Sequence, residues 1–333
     1  MRVKYIATLK EISNETGFSV PTVSRVLRGK GEIGQKTREK ILATAERLGY
    51  RSNLLVSGMR TGITKTIGVI IPIDEGFFSD IIRGIHDSLI EKDYVPILVW
   101  SRDERGQIAR LIEHRVEGMI INPIEDEAGK DYFKEIYDRE IPVVTVDRNL
   151  PHVDFSFSAS DDYLGASMAT EHLISLGHKK IAHLKGPQYA SPAQMRRKGF
   201  EDTIAKHPDV SGRVSEEDAC TFNLAAAASF LKRNPDITAV LAFNDLAAAA
   251  VCDAAAGLDL KVPDDLSVIG YGNLPLGLWK RPQMSTINQF PYMIGQNAVE
   301  LLFDQIIRKE EGSTARTILT KPELIVRQST AGG

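Results

Sequence analysis

A short segment near the N-terminus carries the side-chain types that read base edges in DNA. Within residues 19–27, Val23, Val26 and Leu27 have the spacing of one buried helix face. The other face then carries short side chains and one Arg, namely Val20, Thr22, Ser24 and Arg25. Such a surface fits a recognition helix that lies in the major groove with its N-terminal end against the bases.

The residues before this segment predict the helix that must support it. Thr8 and Glu11 form a capping-box pattern, which begins a helix over residues 9–16. Gly17 ends that helix, because the chain must take a left-handed conformation there and only glycine adopts it without steric strain.

Two further helices complete the N-terminal unit. Ser19 begins the second helix, with Pro21 in the first turn, where its missing N–H is harmless. A third helix is predicted over residues 36–48. Its inward-facing positions are Ile41, Leu42, Ala45 and Leu48.

Charge is distributed unevenly along the chain. Residues 1–65 contain thirteen Lys or Arg and five Glu, a net charge of +8, whereas the remaining residues carry −11. A small basic unit joined to a large acidic one is typical of a protein whose short domain neutralises phosphates. A solvated basic helical face is the alternative, and charge alone does not decide between the two.

Length and composition indicate a folded protein with more than one core. The chain has 333 residues, of which 43% are hydrophobic and 26% charged, as in ordinary globular domains. No apolar run reaches about 18 residues and no export signal is present, so we expect a cytoplasmic protein. Cys220 and Cys252 show no metal or redox motif, and we expect them to pack as small hydrophobic residues.

Short Val- and Ile-rich runs from residue 67 onward predict buried parallel strands. The first four runs begin 23 to 28 residues apart, and amphipathic stretches such as FFSDIIRGIHDSLIEK fill the gaps. The two predicted series are residues 67–73, 95–100, 118–122 and 141–146, and then 180–184, 238–243 and 266–271. Two series predict two sheets, and therefore two lobes.

Residues that follow these strands are candidates for a ligand site. Open parallel sheets bind ligands at the carboxyl ends of their strands, and polar and aromatic side chains together orient a small polar ligand. The candidates are Phe77, Phe78, Trp100, Asn122, Asp147, Arg148, Asp161, Asp162, Asn244, Asp245, Tyr271 and Asn273. For Asp161 and Asp162, capping of a helix over residues 163–176 is an equally strong alternative.

Several strings of the sequence resemble the LacI/GalR family of bacterial transcription regulators. The early strings are TLKEISNETGFSVPTVSRVLRGK, TREKILATAERLGY and TGITKTIGVIIP, and the later ones are EHLISLGHKKIAHLKGP, RRKGF, VLAFNDLAAAAV and VPDDLSVIGYGNLPL. The resemblance implies an all-α helix-turn-helix domain. It also implies a two-lobed α/β domain of the periplasmic-binding-protein type, with doubly wound parallel sheets.

The resemblance assigns DNA contacts to particular residues. Val20 and Pro21 match positions that read bases, and Thr22, Ser24 and Arg25 match further base and phosphate contacts. The implied DNA-binding set is Thr8, Ser19, Val20, Pro21, Thr22, Ser24, Arg25, Asn53 and Met59. A three-helix packing domain without DNA is the alternative.

Residues 51–65 are predicted to form a hinge, because they are too polar and too glycine-rich for a stable isolated helix. In the family this segment becomes helical across the dimer on DNA, and one side chain from each subunit wedges into the minor groove. Met59 matches the wedge. Ser52 replaces the usual Pro, and Gly58 costs the helix about 1 kcal/mol relative to Ala. A passive tether is the alternative.

The resemblance also implies a ligand site in the larger domain. Arg196 would clamp an anionic or hydroxylated ligand, Phe222 would cover it, and Gln289 would reach in from a crossover segment. The implied ligand-binding set is Phe77, Phe78, Asn122, Asp147, Arg196, Phe222, Asn244, Tyr271, Asn273 and Gln289. For Arg196, a surface salt bridge is the alternative.

One departure from the family concerns the ligand. Gly272 stands where many sugar-responsive members carry Asp, so a standard sugar effector is not implied. Gly272 and Asn273 leave room for a bulkier or less hydroxylated ligand, and Trp279 can help to cover it.

Enzyme motifs and cofactor motifs are absent from the sequence. It has no G-x-G-x-x-G after the first strand, no P-loop, no G-x-S-x-G and no H-E-x-x-H. Packing between a helix and a strand explains His172, His178 and His183 better than a metal site does. We therefore expect neither an enzyme nor a cofactor. A two-lobed sugar carrier without a DNA role is the competing class, and the basic N-terminal unit counts against it.

The sequence thus predicts a DNA-binding domain over residues 1–50, a hinge over 51–65 and an effector-binding and dimerisation domain over 66–333. We expect a homodimeric transcription regulator, of repressor type, that binds a palindromic operator. A small molecule, such as a sugar or sugar derivative, is expected to bind between the lobes and to change operator affinity.

Overall fold

The protein divides into two compact units, Met1–Thr64 and Lys65–Gly333, in the computed structural model. The structure describes residues 7–27, 33–50, 63–73, 76–100, 103–123, 133, 136–150, 153–279, 281–308 and 314–331. Most of the predicted hinge lies outside these residues, so its boundaries stay a prediction.

Three helices form the N-terminal unit: α1 (Leu9–Thr16), α2 (Val20–Leu27) and α3 (Gln35–Arg47). Thr8 and Glu11 make both hydrogen bonds of the predicted capping box, and Gly17 closes α1 with a φ of 77°. The Thr22 amide donates to the Ser19 hydroxyl at the start of α2. The core of the unit is built around Ile12, Val23, Val26, Ile41 and Ala45.

Two expectations for this unit were wrong. Leu42 was expected to face inward, but it is 46% exposed because the core face of α3 runs through Ile41 and Ala45. Ser24 was placed on the exposed face of α2, but it is only 8% exposed. It directly follows the core residue Val23, and the helical turn places it at the edge of the buried face.

The larger unit contains two six-stranded sheets, as the two series of strands predicted. The first sheet has the order β2-β1-β3-β4-β5-β11 and is parallel throughout. Its strands are β1 (Thr66–Ile70), β2 (Val95–Val99), β3 (Gly118–Ile121), β4 (Val143–Val146), β5 (Ser156–Ser160) and β11 (Thr317–Thr320).

The second sheet has the order β7-β6-β8-β9-β10-β12, and only β12 is antiparallel to its neighbour. Its strands are β6 (Lys180–Leu184), β7 (Ser211–Val214), β8 (Ala239–Ala242), β9 (Ser267–Tyr271), β10 (Ser285–Asn288) and β12 (Glu323–Ile325). All seven predicted strands form.

Helices cover both faces of each sheet. The first lobe has α4 (Gly76–Glu91), α5 (Glu104–Glu113) and α11 (Pro291–Ile307). The second lobe has α6 (Asp162–Ser175), α7 (Ser191–Ile204), α8 (Leu224–Arg233), α9 (Asp245–Ala256) and the short α10 (Leu276–Trp279). Among the described residues, no helix combines the length and apolar character needed to cross a membrane.

The chain passes between the lobes three times. It enters the second lobe between β5 and α6, returns between β10 and α11, and crosses again between β11 and β12. Asp161 donates its amide to the carbonyl of Thr320, so the first and third crossovers are hydrogen-bonded to each other.

Helices α4 and α11 pack at a distance that only glycine permits. A Cβ on Gly84 would lie 2.1 Å from the carbonyl oxygen of Tyr292, and a Cβ on Gly295 would lie 2.2 Å from that of Ile81. Each helix therefore presents its backbone to the other, and the pair forms a rigid layer on the first sheet.

We predict that Gly295→Ala lowers the free energy of unfolding by about 1–3 kcal/mol, because the added methyl group must displace the backbone of α4. Urea unfolding followed by circular dichroism measures the change. Gly257→Ala is the matched control, since its Cβ would meet only ordinary contacts, and we expect a change within about 0.5 kcal/mol. Equal midpoints for the two variants would contradict the close approach of the helices.

Candidate functional site

The predicted DNA-binding face of α2 is largely exposed. Val20 is 38% exposed, and Ser19, Pro21 and Arg25 are also exposed. Thr22 is half-buried, and its hydroxyl lies 2.8 Å from that of Ser19. This end of α2 therefore offers small side chains and a cation to a groove.

Other predicted DNA contacts are placed differently. Thr8 caps α1 with its side chain, so its hydroxyl already has a structural role. Ser24 is buried, which removes it from the exposed face. Asn53 and Met59 lie outside the described residues.

The candidate ligand site lies where the two sheets reverse strand order. In the first sheet the chain runs outward in both directions from β1 and β3, and in the second from β6 and β8. Ligands of doubly wound sheets bind at the carboxyl ends of the strands beside such a switch point. Asn122 follows β3, Asp147 follows β4, and Asn244 closely follows β8.

Asn122 and Asp147 form a buried polar pair in the first lobe. The side-chain amide of Asn122 donates to the carbonyl of Val146 at 2.9 Å and to Oδ2 of Asp147 at 3.3 Å. Oδ1 of Asn122 is buried and is one of four such side-chain atoms without a partner among the described residues. A buried amide oxygen of this kind can accept a hydrogen bond from a ligand.

Arg196, on α7 of the second lobe, is buried and makes three hydrogen bonds. Nε donates to Asp162 at 2.8 Å, Nη1 to the carbonyl of Phe243 at 2.7 Å, and Nη2 to Oε1 of Gln289 at 3.0 Å. Asp162 directly follows the first crossover and Gln289 lies in the second. The guanidinium therefore joins the start of α6, next to the first crossover, to the second of the three segments that connect the lobes. We call Asn122, Asp147, Asp162, Arg196 and Gln289 the crevice cluster.

Aromatic rings enclose the guanidinium. Its Cζ lies 3.8 Å from the ring centroid of Tyr271 and 4.7 Å from that of Phe243, distances typical of cation–π contacts. Two glycines make room for these rings, since a Cβ on Gly165 would meet Tyr271 and a Cβ on Gly186 would meet Phe243.

Tyr271 therefore differs from its predicted role in ligand contact. It is 1% exposed in the core of the second lobe. Its ring lies against Arg196, so it supports the crevice cluster from behind.

Electrostatic interactions join the two lobes across the crevice cluster. Burial raises the pKa of Asp147 to about 6, and the Asp162 carboxylate adds to the rise, while Arg148 and Arg196 oppose it. Burial also raises the pKa of Asp162, and the ion pair with Arg196 opposes that rise. Burial alone would lower the pKa of Arg196, but the Asp162 carboxylate keeps it above its ordinary value. The Asp147 carboxyl group, with a pKa of about 6, therefore changes its charge within about one pH unit of neutrality.

The predicted aromatic contacts fall into two groups. Phe77 and Phe78 pack edge to face, with their centroids 5.3 Å apart, in the apolar core of the first lobe. Both side chains are buried, so they pack in the core of the lobe and expose little surface to a ligand. Phe222 is 49% exposed and lies in the segment before α8.

Two predicted polar contacts already have structural partners. Asn244 caps α9 through its side-chain oxygen, and its amide donates to the carbonyl of Cys220 at 2.7 Å. Asn273 accepts a hydrogen bond from Arg327 at 2.6 Å. Asn244 thereby fixes the segment that carries Phe222, whereas Asn273 is tied to the C-terminal segment.

Gly272 has a backbone conformation that side chains disfavour. Its φ is +129°, and the carboxylate of Asp245 lies near the position a Cβ would take. That carboxylate is buried and accepts from the Thr286 hydroxyl and the Leu274 amide, both at 2.6 Å. The local fold thus favours glycine at 272, so the position has no side chain to offer a ligand.

Sequence reasoning missed several contacts of the site. The ion pair between Arg196 and Asp162 joins α6 and α7, and it depends on how these two helices pack. The amide of Asn149 donates to the hydroxyl of Ser191 at 2.9 Å and so links the two lobes directly. Asp161 caps α6, as the capping interpretation of Asp161 and Asp162 predicted. In the sequence, only the position of Asp162 beside that cap indicated that its carboxylate could have a structural partner.

Two descriptions of known protein families match parts of this chain. Residues 8–53 match bacterial regulatory proteins of the lacI family, and residues 170–330 match the periplasmic binding protein-like domain. The chain is 30% identical to the ribose operon repressor of Halalkalibacterium halodurans, over 98% of each chain.

Solved structures share the fold. The lac repressor dimer bound to operator and the anti-inducer ONPF superposes with a TM-score of 0.86 at 23% identity, over 98% of this chain and 100% of that one. A LacI family transcriptional regulator from Enterococcus faecium with bound ribose superposes with a TM-score of 0.68 at 27% identity, over 80% of this chain and 99% of that one. This chain therefore belongs to the lacI family of bacterial regulatory proteins, and it is a DNA-binding transcription regulator.

Proposed function

We propose that this regulator is a repressor that binds a palindromic operator as a homodimer and responds to a sugar-like effector held at the crevice cluster. The observation that carries the effector site is the unpartnered Oδ1 of Asn122, which is buried beside the carboxylate of Asp147. Two adjacent acceptors suit a ligand that donates hydrogen bonds from neighbouring hydroxyl groups.

The DNA contacts are proposed to come from the exposed end of α2. Val20 and Pro21 meet base edges, and Thr22 and Arg25 add base and phosphate contacts. Thr8 and Ser19 hold the helix ends, and Asn53 and Met59 belong to the proposed hinge over residues 51–65. The excess of positive charge in residues 1–65 supports contact with phosphates.

Effector control is proposed to act through the crossovers. Gln289 and Asp162 are both held by Arg196, so a ligand that binds there changes how the lobes meet. If effector and operator favour different arrangements of the lobes, each changes the affinity of the other by the same factor. Phe222, on its exposed segment, is proposed to cover the ligand.

A sugar-like effector has support from the relatives. One is named a ribose operon repressor, and another is solved with bound ribose. We propose a role in the cytoplasm, where such a regulator meets its DNA, and no catalytic role, since its relatives are repressors.

We predict that Arg25→Ala weakens binding to the selected operator by about 5- to 150-fold, because one base or phosphate contact is lost. Fluorescence anisotropy with a labelled duplex, chosen by selection from random DNA, measures the change. Arg47→Ala is the matched control, since Arg47 is paired with Glu15 within the unit. A loss of equal size in both variants would show that net charge, and not the α2 face, determines affinity.

We predict that Met59→Ala reduces operator affinity and DNA bending together, because a minor-groove wedge gives rise to both. Circular-permutation electrophoresis measures the bend. A bend angle that the substitution leaves unchanged would remove Met59 from the wedge role.

We predict that effector affinity rises by about tenfold between pH 5 and pH 7 and is constant above that range. Asp147, with a pKa of about 6, is mostly protonated at the lower pH. Ligand hydroxyls that donate to its carboxylate favour the ionised form, so binding strengthens as the pH rises through the pKa. Calorimetric titration with the effector at each pH measures the profile.

Two variants test the assignment of this pH dependence. Asp147→Asn should flatten the profile, because the amide does not titrate. Asp209→Asn removes an exposed carboxylate elsewhere in the second lobe and should leave the slope intact. A slope that survives in Asp147→Asn would assign the titration to another group.

A further inference from the structure

Lys65, the first residue of the larger unit, has a backbone conformation that side chains disfavour. Its φ is +52°, in the left-handed region where residues with a side chain are uncommon. Such a conformation persists only where the surrounding structure holds it in place, and it is found most often at functional positions. Lys65 therefore marks a point at which the surrounding structure imposes the direction of the chain.

Three neighbouring segments hold Lys65 in this conformation. Its amide donates to Oε1 of Glu117, its carbonyl accepts from the amide of Val95 at 2.9 Å, and its ammonium group pairs with Asp93. The ion pair with Asp93 is exposed and therefore adds little. The two backbone hydrogen bonds restrain the peptide groups on both sides of the Lys65 Cα, so they fix the direction of the chain there.

The carboxylate of Glu117 also connects Lys65 to a second strand. Its other oxygen accepts from the hydroxyl of Tyr94 at 2.8 Å. Burial, together with this hydrogen bond to Glu117, raises the pKa of Tyr94 to about 12, so the hydroxyl keeps its proton and donates at neutral pH. The Tyr94 ring packs edge to face on Phe303 of α11, with the ring centroids 4.9 Å apart. We call Lys65, Tyr94 and Glu117 the junction clamp.

The junction clamp lies at the amino ends of three neighbouring strands. Lys65 directly precedes β1, Tyr94 precedes β2 and Glu117 precedes β3, and these strands are adjacent in the order β2-β1-β3. The candidate ligand site lies at the opposite, carboxyl ends. Strand β3 has Glu117 at one end and Asn122 at the other, about 17 Å apart in extended chain. One buried strand therefore connects the crevice cluster to the junction clamp.

We propose that the junction clamp fixes the direction in which the chain leaves the larger unit, and that it thereby sets the half-site spacing that the dimer accepts in its operator. The inference rests on the proposed binding of a palindromic operator by a homodimer. Each subunit reads one half-site, so a loosened junction lets the two DNA-binding units reach half-sites at other separations. Glu117 is thus a positioning residue, which acts on operator specificity through the backbone of Lys65.

Operators of altered spacing test the proposal with the full-length protein. The palindrome selected from random DNA and two derivatives, with one base pair inserted or removed at the centre, are titrated by fluorescence anisotropy. One base pair moves the half-sites by about 3.4 Å, and we expect the unaltered protein to discriminate against both derivatives. Glu117→Ala should reduce that discrimination by about tenfold, because the Lys65 amide loses its charged acceptor.

Matched variants separate this positioning role from a loss of stability. Glu117→Gln keeps an acceptor for the Lys65 amide and should retain most of the discrimination. Glu113→Ala removes an exposed carboxylate at the end of α5 and should leave the discrimination unchanged. If thermal melting shows that Glu117→Ala is unfolded, Tyr94→Phe takes its place, since it removes only the hydroxyl donor and keeps the ring against Phe303. It should reduce the discrimination by about threefold.

The outcomes separate the junction clamp from the proposed function. A folded clamp variant that discriminates between spacings as strongly as the unaltered protein would overturn the positioning role and leave the operator-binding regulator standing. Equal binding of all three duplexes by the unaltered protein, or an equal loss in Glu117→Ala and Glu113→Ala, would do the same. Failure of the unaltered protein to enrich any palindrome would instead overturn the proposed operator binding, and this inference with it.

Discussion

The ion pair between Arg196 and Asp162 is the interaction on which the organisation of the larger unit depends. It is buried, and its guanidinium also reaches the backbone after β8 and the side chain of Gln289. Breaking one partner of such a pair leaves an uncompensated charge, which is far more costly than the pair is worth. The rings of Tyr271 and Phe243 lie against this one group, and two glycines make room for those rings.

The same arrangement connects the binding site to the movement of the lobes. A ligand that meets Asn122 and Asp147 approaches the first lobe, while Arg196 and Asp162 belong to helices of the second. Because Gln289 lies in a crossover, the proposed effector would act directly on a segment that joins the lobes. The proposed regulation therefore requires no long pathway, since Asp147 interacts electrostatically with Arg196, which is hydrogen-bonded to Asp162 and Gln289 at the connecting segments.

Much of the fold could be predicted from the sequence, because apolar periodicity and capping are local signals. The Val- and Ile-rich strands and α1 followed the pattern closely. Strand β5 (Ser156–Ser160) was missed because it buries serines, one of which bonds the backbone of α11. The partner of Arg196 could not be predicted, since it depends on how α6 and α7 pack. The apolar periodicity also gave the wrong burial for Leu42, which is exposed, and for Ser24, which is buried. Both residues lie at the edge of a helix face.

The threefold passage of the chain between the lobes has a consequence for how the protein is made. Helix α11 and strand β11 complete the first lobe, yet they follow β10 of the second lobe in sequence. During synthesis, the first lobe lacks its closing helix and edge strand until residue 320 has emerged, after most of the second lobe. Neither lobe corresponds to one continuous piece of chain. A gene fragment cut between β5 and α6 would therefore encode a sheet with an uncovered apolar face, prone to aggregation.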